Sequence, residues 1–156
     1  MINDEEDLIK AILVYVKANL NTKIESINTE KDDFKIETIA QDDRHYIIAG
    51  ESQEIPNHIF CQVAIDGTSI ETKNNDSNMI SIPNFMVEVA FDNPKKANTY
   101  FKSLRYMRAL YETMLNFESS SIEVDGFQLT KAIPMFVPLT GRELVVSGVG
   151  LSLAIG

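Results

Sequence analysis

The most regular pattern at the start of the chain is helical. Apolar residues recur every three or four positions from Leu8 to Leu20, which is the period of one helix face. Asp4 is placed to cap this helix, and the acidic residues after it favour the positive end of the helix dipole. Because asparagine has low helix propensity, Asn19 and Asn21 predict that the helix ends near Leu20.

The segment from Thr22 to Pro56 has weaker patterns. Phe34 to Ile39 favours a short strand, and Tyr46 to Ile48 favours another. Paired aspartates at 32–33 and 42–43 fall where turns are expected, because their side chains bond nearby backbone amides.

A hairpin is predicted next. Large apolar residues alternate with other residues from Ile59 to Ile65 and again from Phe85 to Phe91, which is the period of a pleated strand. The polar segment Asp66 to Asn78 lies between them and predicts a long, extended tip rather than a tight turn. Long loops of this kind often contact a partner.

A second helix is predicted to begin with Asn93 as its cap and Pro94 in its first turn. Its apolar positions form one seam that we expect to be buried: Ala97, Tyr100, Phe101, Leu104, Met107, Tyr111, Met114 and Leu115. Its other faces carry five cations: Lys95, Lys96, Lys102, Arg105 and Arg108.

The last third of the chain favours strands. The segment from Phe127 to Leu139 contains Pro134 and Pro138, which predicts an edge or bulged strand because proline cannot donate to a ladder. A turn at 140–141 leads to a closing strand, Glu143 to Ile155, with one large apolar face and one face of small residues that allows close approach. We therefore predict a single α+β domain over residues 1–156, with an antiparallel sheet, two main helices on one face and a long polar hairpin.

Composition narrows the classes of function. The 156 residues include 23 acidic and 14 basic side chains, for a net charge of −9. This charge disfavours general binding to nucleic acid or to an anionic membrane. The N-terminus lacks the features of a secretory signal and no apolar tract is long enough to span a bilayer, so we expect a chain made in a reducing cytoplasm with no membrane partner.

The sequence has few residues that could support catalysis or bind a metal ion. Cys61, His45 and His58 give no second His/Cys pair for a zinc site, and the favoured interpretation of Cys61 is a small buried apolar residue. Acidic pairs lack the spacing and glycine of a calcium loop. We therefore expect no catalytic residue, no metal and no cofactor.

The basic stretch from Lys95 to Arg108 has two interpretations. It is either the solvated side of an amphipathic helix or a patch that meets an acidic surface, such as the acidic segments of an identical neighbour. A third interpretation, contact with DNA that passes by, is less favoured, because the five cations belong to a chain whose net charge is strongly negative.

The order of these elements carries a resemblance. A short helix at Leu8–Leu20 precedes the hairpin, and the second hairpin strand leads directly through Asp92-Asn93-Pro94 into a helix carrying Tyr100-Phe101-Lys102-Ser103-Leu104. The chain then ends in a hairpin strand that begins Gly141-Arg142-Glu143-Leu144-Val145-Val146. This layout resembles the tail-terminator, or tail-completion, proteins of tailed bacteriophages. The resemblance covers most of the chain and leaves Thr22 to Pro56 unmatched.

The resemblance implies a structural virion protein, assembled in the host cytoplasm, that forms a ring on the head-proximal end of the tail tube and joins the tail to the neck. Such rings are typically hexamers, and genomic DNA passes through them without specific binding. A ring needs two different patches on each copy. The residues expected at this interface are the basic Lys95, Lys102, Arg105 and Arg108, together with Asp66, Asn75 and Asp76 of the hairpin.

Two alternatives remain open at this point. One is a different phage neck or head-closure ring subunit, which would use the same kind of interface. The other is a small cytosolic α+β enzyme or ligand-binding domain. It requires a closed pocket with converging polar groups, for which the candidates are Tyr46, His58, Glu88 and Arg105.

Overall fold

A computed structural model describes residues 4–51, 54–72, 79–117 and 128–153. Two helices and five strands run in the order α1 (Glu5–Glu30), β1 (Tyr46–Ile48), β2 (Phe60–Thr72), β3 (Met79–Asp92), α2 (Thr99–Leu115), β4 (Gln128–Leu139) and β5 (Arg142–Ser152).

The five strands form one sheet in the order β1-β2-β3-β5-β4. The β1 strand pairs with β2 in parallel, and every other pairing is antiparallel. Both helices pack on one face of the sheet, where they share a core with alternate residues of β2, β3 and β5. The predicted α+β class is confirmed.

The first helix is longer than the sequence pattern predicted. Asp4 caps it by accepting a hydrogen bond from the Asp7 backbone N–H at 2.9 Å, as expected. It does not end near Leu20, however, but continues to Glu30. Ile24 and Ile27 extend the apolar stripe and are buried, so packing outweighs the low helix propensity of the asparagines.

Two asparagines of α1 hold the extended segment that follows the helix. The Asn28 amide donates to the Ile36 carbonyl at 2.8 Å and accepts from the Ile36 N–H at 2.9 Å. Asn21 makes the same pair of bonds with Ile39, at 2.7 and 2.8 Å. The predicted strand from Phe34 to Ile39 is therefore wrong, because this backbone bonds to helix side chains and not to a neighbouring strand.

Replacing Asn28 with alanine is expected to destabilise the fold by about 1–3 kcal/mol, because it leaves the half-buried Ile36 N–H and carbonyl without partners. Urea unfolding measures this loss. The matched control is Asn19→Ala, which gains the same helix propensity but removes one bond to the Tyr15 carbonyl a turn earlier in the helix. Equal stability of the two variants would show that the asparagine pairs do not hold this segment.

The hairpin of β2 and β3 is confirmed and extends beyond its predicted length. Pairing continues past a bulge between Ile65 and Gly67 as far as Thr72 opposite Met79. The predicted polar loop is therefore strand over residues 66–72 and does not begin at Asp66. Residues 73–78 lie outside the described residues.

The second helix begins five residues later than the helix start predicted at Pro94. Asn93 does not cap it: its side chain accepts from the Lys95 N–H and donates to the Glu143 carboxylate. Lys95 and Asn98 have positive φ values of 50° and 72°, so the chain turns before the helix starts at Thr99. Lys95 and Lys96 therefore precede the helix, and α2 carries three cations.

The face that α2 buries also differs from the predicted seam. Its buried residues are Thr99, Ser103, Tyr106, Ala109, Leu110, Thr113 and Met114, of which the prediction contained Met114 alone. The hydroxyls of Ser103 and Thr113 each donate to a carbonyl one turn earlier at 2.7 Å, so they are buried with their hydrogen bonds satisfied. Small residues then allow close packing, and the Ser147 hydroxyl donates to the Ser103 carbonyl across the contact with β5.

The last two strands match their prediction closely. The β4 strand is an edge strand and has a register shift between Ala132 and Met135. Val149 and Leu151 of β5 face the helices and are buried, and Gly148 and Gly150 lie on the other face. Leu144 and Val146 also lie on that other face, where they are buried in a second, smaller apolar cluster with Phe60 and Ala90. A Cβ added at Gly150 would come within 2.6 Å of the Thr130 hydroxyl, so the predicted close approach is present.

Candidate assembly surfaces

Arg105 is held within its own chain. Its guanidinium donates two hydrogen bonds to the Asp33 carboxylate, at 2.7 and 2.9 Å, and one to the Phe34 carbonyl at 2.5 Å. It also lies 3.6 Å from the centroid of the Phe34 ring, which adds a cation–π contact. The side chain is 11% exposed. Arg105 therefore fastens the segment after α1 to α2.

Arg108 has a similar structural role. It donates to both carboxylate oxygens of Glu30, at 3.1 and 2.7 Å, and to Glu112 one turn later on its own helix. These bonds lower the pKa of the Glu30 carboxyl and raise that of the arginine. Two of the four cations predicted at an interface are thus neutralised by acids of the same chain.

The two predicted lysines are placed differently. Lys95 is exposed in the turn before α2, and Lys102 lines a cavity of about 250 Å³ between the helix and the segment 35–37. Neither forms an ion pair with the described part of the chain. Their charges are available to a partner, and their role at an interface stays a prediction.

The hairpin residues can be located only in part. Asp66 lies in β2 at the bulge, where it has no register partner in β3. Asn75 and Asp76 lie outside the described residues. The proposed contribution of these three residues to an interface also stays a prediction.

The Asp33 contact predicts an acid-dependent stability. The side-chain bond from Arg105, followed by a backbone bond from Phe34, lowers the pKa of the Asp33 carboxyl. A lowered pKa in the folded state contributes stability above the ordinary carboxyl pKa, and this contribution is lost as the pH falls through the folded value. Wild type should therefore exceed Asp33→Asn in Tm at neutral pH, and the difference should disappear in acid.

The neighbouring Asp32→Asn variant is the control for that titration. Asp32 is exposed and makes no hydrogen bond or ion pair with residues that the structure describes. Its Tm should follow wild type across the whole pH range. A Tm difference between wild type and Asp33→Asn that stays constant with pH would contradict the assignment.

The four residues proposed to line an enzyme pocket do not converge. Tyr46 belongs to the core on the helix side of the sheet, and Arg105 is held by Asp33. Glu88 is on the opposite face of the sheet, where it accepts from the Gln62 amide at 3.1 Å. His58 lines the cavity beside Lys102.

The most prominent exposed feature is one side of α2. Tyr100, Phe101, Leu104, Tyr111 and Leu115 fall on an arc of about 100° at 100° per residue, and we call this side the α2 flank. The same arc contains Arg108, and Leu104 and Tyr111 are half-buried, with Tyr111 packed against the core. Phe101 is 59% exposed and Leu115 is 52% exposed. These residues made up most of the seam that the sequence predicted to be buried. The helix has two apolar sides. In the sequence, the side that is buried is distinguished by its small residues, Ser103, Ala109 and Thr113.

The outer strand of the sheet also has exposed apolar residues. Met135 and Phe136 of β4 are 57% and 48% exposed, and Met135 pairs with Val146 on the face away from the helices. Phe136 pairs with Val145, whose side chain is buried beneath the helices, so Phe136 lies on the helix-covered face. Because α2 contacts both β4 and β5, Phe136 lies at the edge of the sheet face that α2 covers.

The opposite edge of the sheet is also incompletely covered. The edge strand β1 has three residues and pairs with the start of β2 alone. Ile65, farther along β2, is 46% exposed, and so is Ile55 in the segment after β1. Glu51 is exposed in the turn that follows β1.

The hairpin also projects beyond the rest of the sheet. The β5 strand pairs with residues 84–92 of β3, whereas β2 and β3 continue to pair with each other as far as Thr72 and Met79. The end of the hairpin is therefore a two-stranded ribbon. Such ribbons are marginally stable in water without a surface to pack against.

Other kinds of site have little support in this structure. Within residues 4–51, 54–72, 79–117 and 128–153, no three His, Cys, Asp or Glu side chains are grouped to hold a metal ion. In the same ranges neither helix is apolar enough over a sufficient length to span a bilayer. Cys61 is buried, and burial raises the pKa of its thiol.

Comparison with known proteins gives no family assignment. Neither the models of known protein families nor the curated proteins contain a match to this chain.

Proposed function

We propose that this chain is a structural subunit of a tailed bacteriophage, a ring-forming tail terminator that closes the head-proximal end of the tail tube and joins it to the neck. The observation that carries the assembly role is the exposure of the α2 flank. Tyr100, Phe101 and Leu115 on this side of the helix are each about half exposed, and exposed aromatic and aliphatic side chains grouped on one side of a helix are typical of protein contacts.

The order of elements connects this assembly role to tails. An N-terminal helix, a long hairpin, a second helix and a closing hairpin follow one another, and the resemblance to tail-terminator proteins rests on this order. The projecting hairpin ribbon is suited to reach a neighbouring copy or the tube, because its own sheet leaves it unsupported. The edge strands β1 and β4 each pair with one strand among the described residues, and such edges are suited to contacts around a ring.

Deleting the gene from the phage that carries it tests the proposal. A tail terminator is required to stop the tube and to present a surface to the neck, so the mutant should produce filled heads together with unattached tails of irregular length. Expression in trans should restore joined particles, and electron microscopy of particles labelled on this protein should place it at the junction of head and tail. Normal particles from the mutant would overturn the proposal. Labelling at the head portal alone would favour the head-closure alternative.

The exposed lysines predict a salt-sensitive contribution to assembly. Reversing the charge at Lys95 and Lys102 should weaken ring formation, because each has its charge available to a neighbour, and added salt should reduce the difference from wild type. Gel filtration with light scattering at two ionic strengths measures both effects. Lys10→Glu/Lys17→Glu is the matched double reversal, since both lysines already pair with acids of the same chain. If the protein with reversed Lys95 and Lys102 formed rings as well as wild type does, an electrostatic contribution of the two lysines would be excluded.

A further inference from the structure

A cavity of about 250 Å³ lies where α2 meets the two segments that flank β1. Residues 35–37 come before β1, and residues 57–59 lead into β2. The apolar part of its wall includes Ile36, Ile59 and Phe91. Polar side chains from these segments, from α2 and from the end of β3 line the rest: Lys35, Glu37, Asn57, His58, Asp92, Lys102 and Tyr106.

Two of these polar groups are satisfied within the chain. The Asp92 carboxylate accepts from Arg142 at 2.6 Å, and the buried Tyr106 hydroxyl donates to the Glu37 carbonyl at 2.8 Å. Four other side chains make no hydrogen bond or ion pair with any residue that the structure describes: Lys35, Asn57, His58 and Lys102. Each of the four can donate a hydrogen bond, and the two ammonium groups can only donate.

The neighbouring arginines of α2 differ from Lys102 in this respect. Glu30 at the end of α1 pairs with Arg108, and Asp33 in the segment after α1 pairs with Arg105. Lys102 lies beside the continuation of that segment and is half-buried, yet it has no acidic partner there. The fold thus leaves a donor at the cavity that its own acids do not occupy.

The unpaired groups of the lining have an excess of positive charge. Lys35 and Lys102 are opposed by one carboxylate without a partner among the described residues, that of Glu37. The side chains of Asn57 and His58 add donors to those of the two lysines. This set suits an anion with several acceptor oxygens, because hydrogen bonds between an ammonium group and an oxyanion are the strong ones.

We infer that the cavity binds a small oxyanion, which is a phosphate or a carboxylate group. Its volume is below the range of roughly 300–1,000 Å³ that is typical of pockets for larger ligands, so the ligand is small. The inference goes beyond the proposed function and does not depend on it.

Nuclear magnetic resonance of the two histidines measures this binding. His58 lines the cavity, and it also lines a second cavity together with His45, which bonds to Asp42 at 2.6 Å. The probes are inorganic phosphate and acetate, added at constant pH and ionic strength to the full chain labelled with ¹³C in its histidine rings. At least one probe should shift the His58 signal with saturation and leave the His45 signal unchanged.

Three single substitutions assign the site. Lys102→Gln should weaken binding about tenfold, because it removes a charge-assisted hydrogen bond. Glu37→Gln removes the opposing carboxylate and should strengthen binding. The control is Lys95→Gln, which removes an equally unpaired lysine outside the cavity and should bind as wild type does. Lys35→Gln at an exposed position repeats the test if Lys102→Gln alters the fold.

The outcomes separate a built site from a general response to charge. Saturation by phosphate alone or by acetate alone supports the inference and identifies which oxyanion the cavity takes. A His58 signal that does not saturate with either probe would overturn it, and so would shifts of both histidine signals together, which would place the anion in the second cavity. Equal weakening by Lys95→Gln and Lys102→Gln would also overturn it.

Discussion

Phe101→Asp is expected to abolish ring formation while the chain stays folded. Phe101 is 59% exposed in the single chain, so an aspartate there is solvated and should change the free energy of unfolding of the monomer by less than about 0.5 kcal/mol. In the proposed ring the same position would be covered by the next copy, and a carboxylate would be buried against apolar side chains without a partner. That costs at least about 3 kcal/mol, which weakens each contact more than about 100-fold.

Sedimentation velocity of the variant and of wild type at equal concentrations measures the effect. The control is Val14→Asp, which places the same charge on an apolar residue of α1 that is 70% exposed and lies outside the α2 flank. Val14→Asp should form rings as wild type does. Rings formed by Phe101→Asp would show that the α2 flank is not the contact, and a loss of rings in both variants would show that added negative charge alone prevents association.

Leu110→Ala is expected to destabilise the chain by about 2–5 kcal/mol, whereas Leu115→Ala should change its stability by less than about 0.5 kcal/mol. The two leucines lie on the same helix, but Leu110 is fully buried and Leu115 is 52% exposed. Removing Leu110 leaves a cavity between α2 and the core. The helical pattern alone gave the opposite assignment, with Leu115 in the buried seam and Leu110 outside it.

Urea unfolding should be measured for both substitutions in the Phe101→Asp background. Association stabilises a folded chain by mass action, and a monomeric background removes that contribution. A larger loss for Leu115→Ala than for Leu110→Ala would mean that α2 packs on its other side, and the surface proposed for assembly would then be core.

The elements predictable from sequence were those specified by local pattern. Alternation from Ile59 to Ile65 and from Phe85 to Phe91 identified the central hairpin, because strand period is local to each segment. Pro134 and Pro138 identified β4 as an edge strand, because proline lacks a backbone donor. The α+β class followed from these elements and their order.

The errors arose where distant parts of the chain decide the outcome. Asn21 and Asn28 weaken a helix in isolation, yet here each bonds the backbone of a segment that returns along α1. Asn93 and Pro94 have the local features of a helix start, but the Asn93 side chain bonds Glu143 of β5 instead. These contacts between distant segments cannot be obtained from periodicity or propensity.

The candidate assembly surfaces were also predicted only in part from the sequence. Sequence identified the basic stretch, but the structure alone distinguishes the arginines held by Asp33 and Glu30 from the lysines left available. The apolar flank was identified as an apolar seam and assigned to the wrong environment. A helix with two apolar sides can bury either one, and the choice depends on which side fits the sheet.

The mass of the wild-type protein in solution tests the central claim most directly. Native mass spectrometry over a range of concentrations should show a single closed oligomer, expected to be a hexamer of the 17.5 kDa chain, whose mass stops increasing once it has formed. A monomer at every concentration would contradict the account, and so would a series that grows continuously without closing.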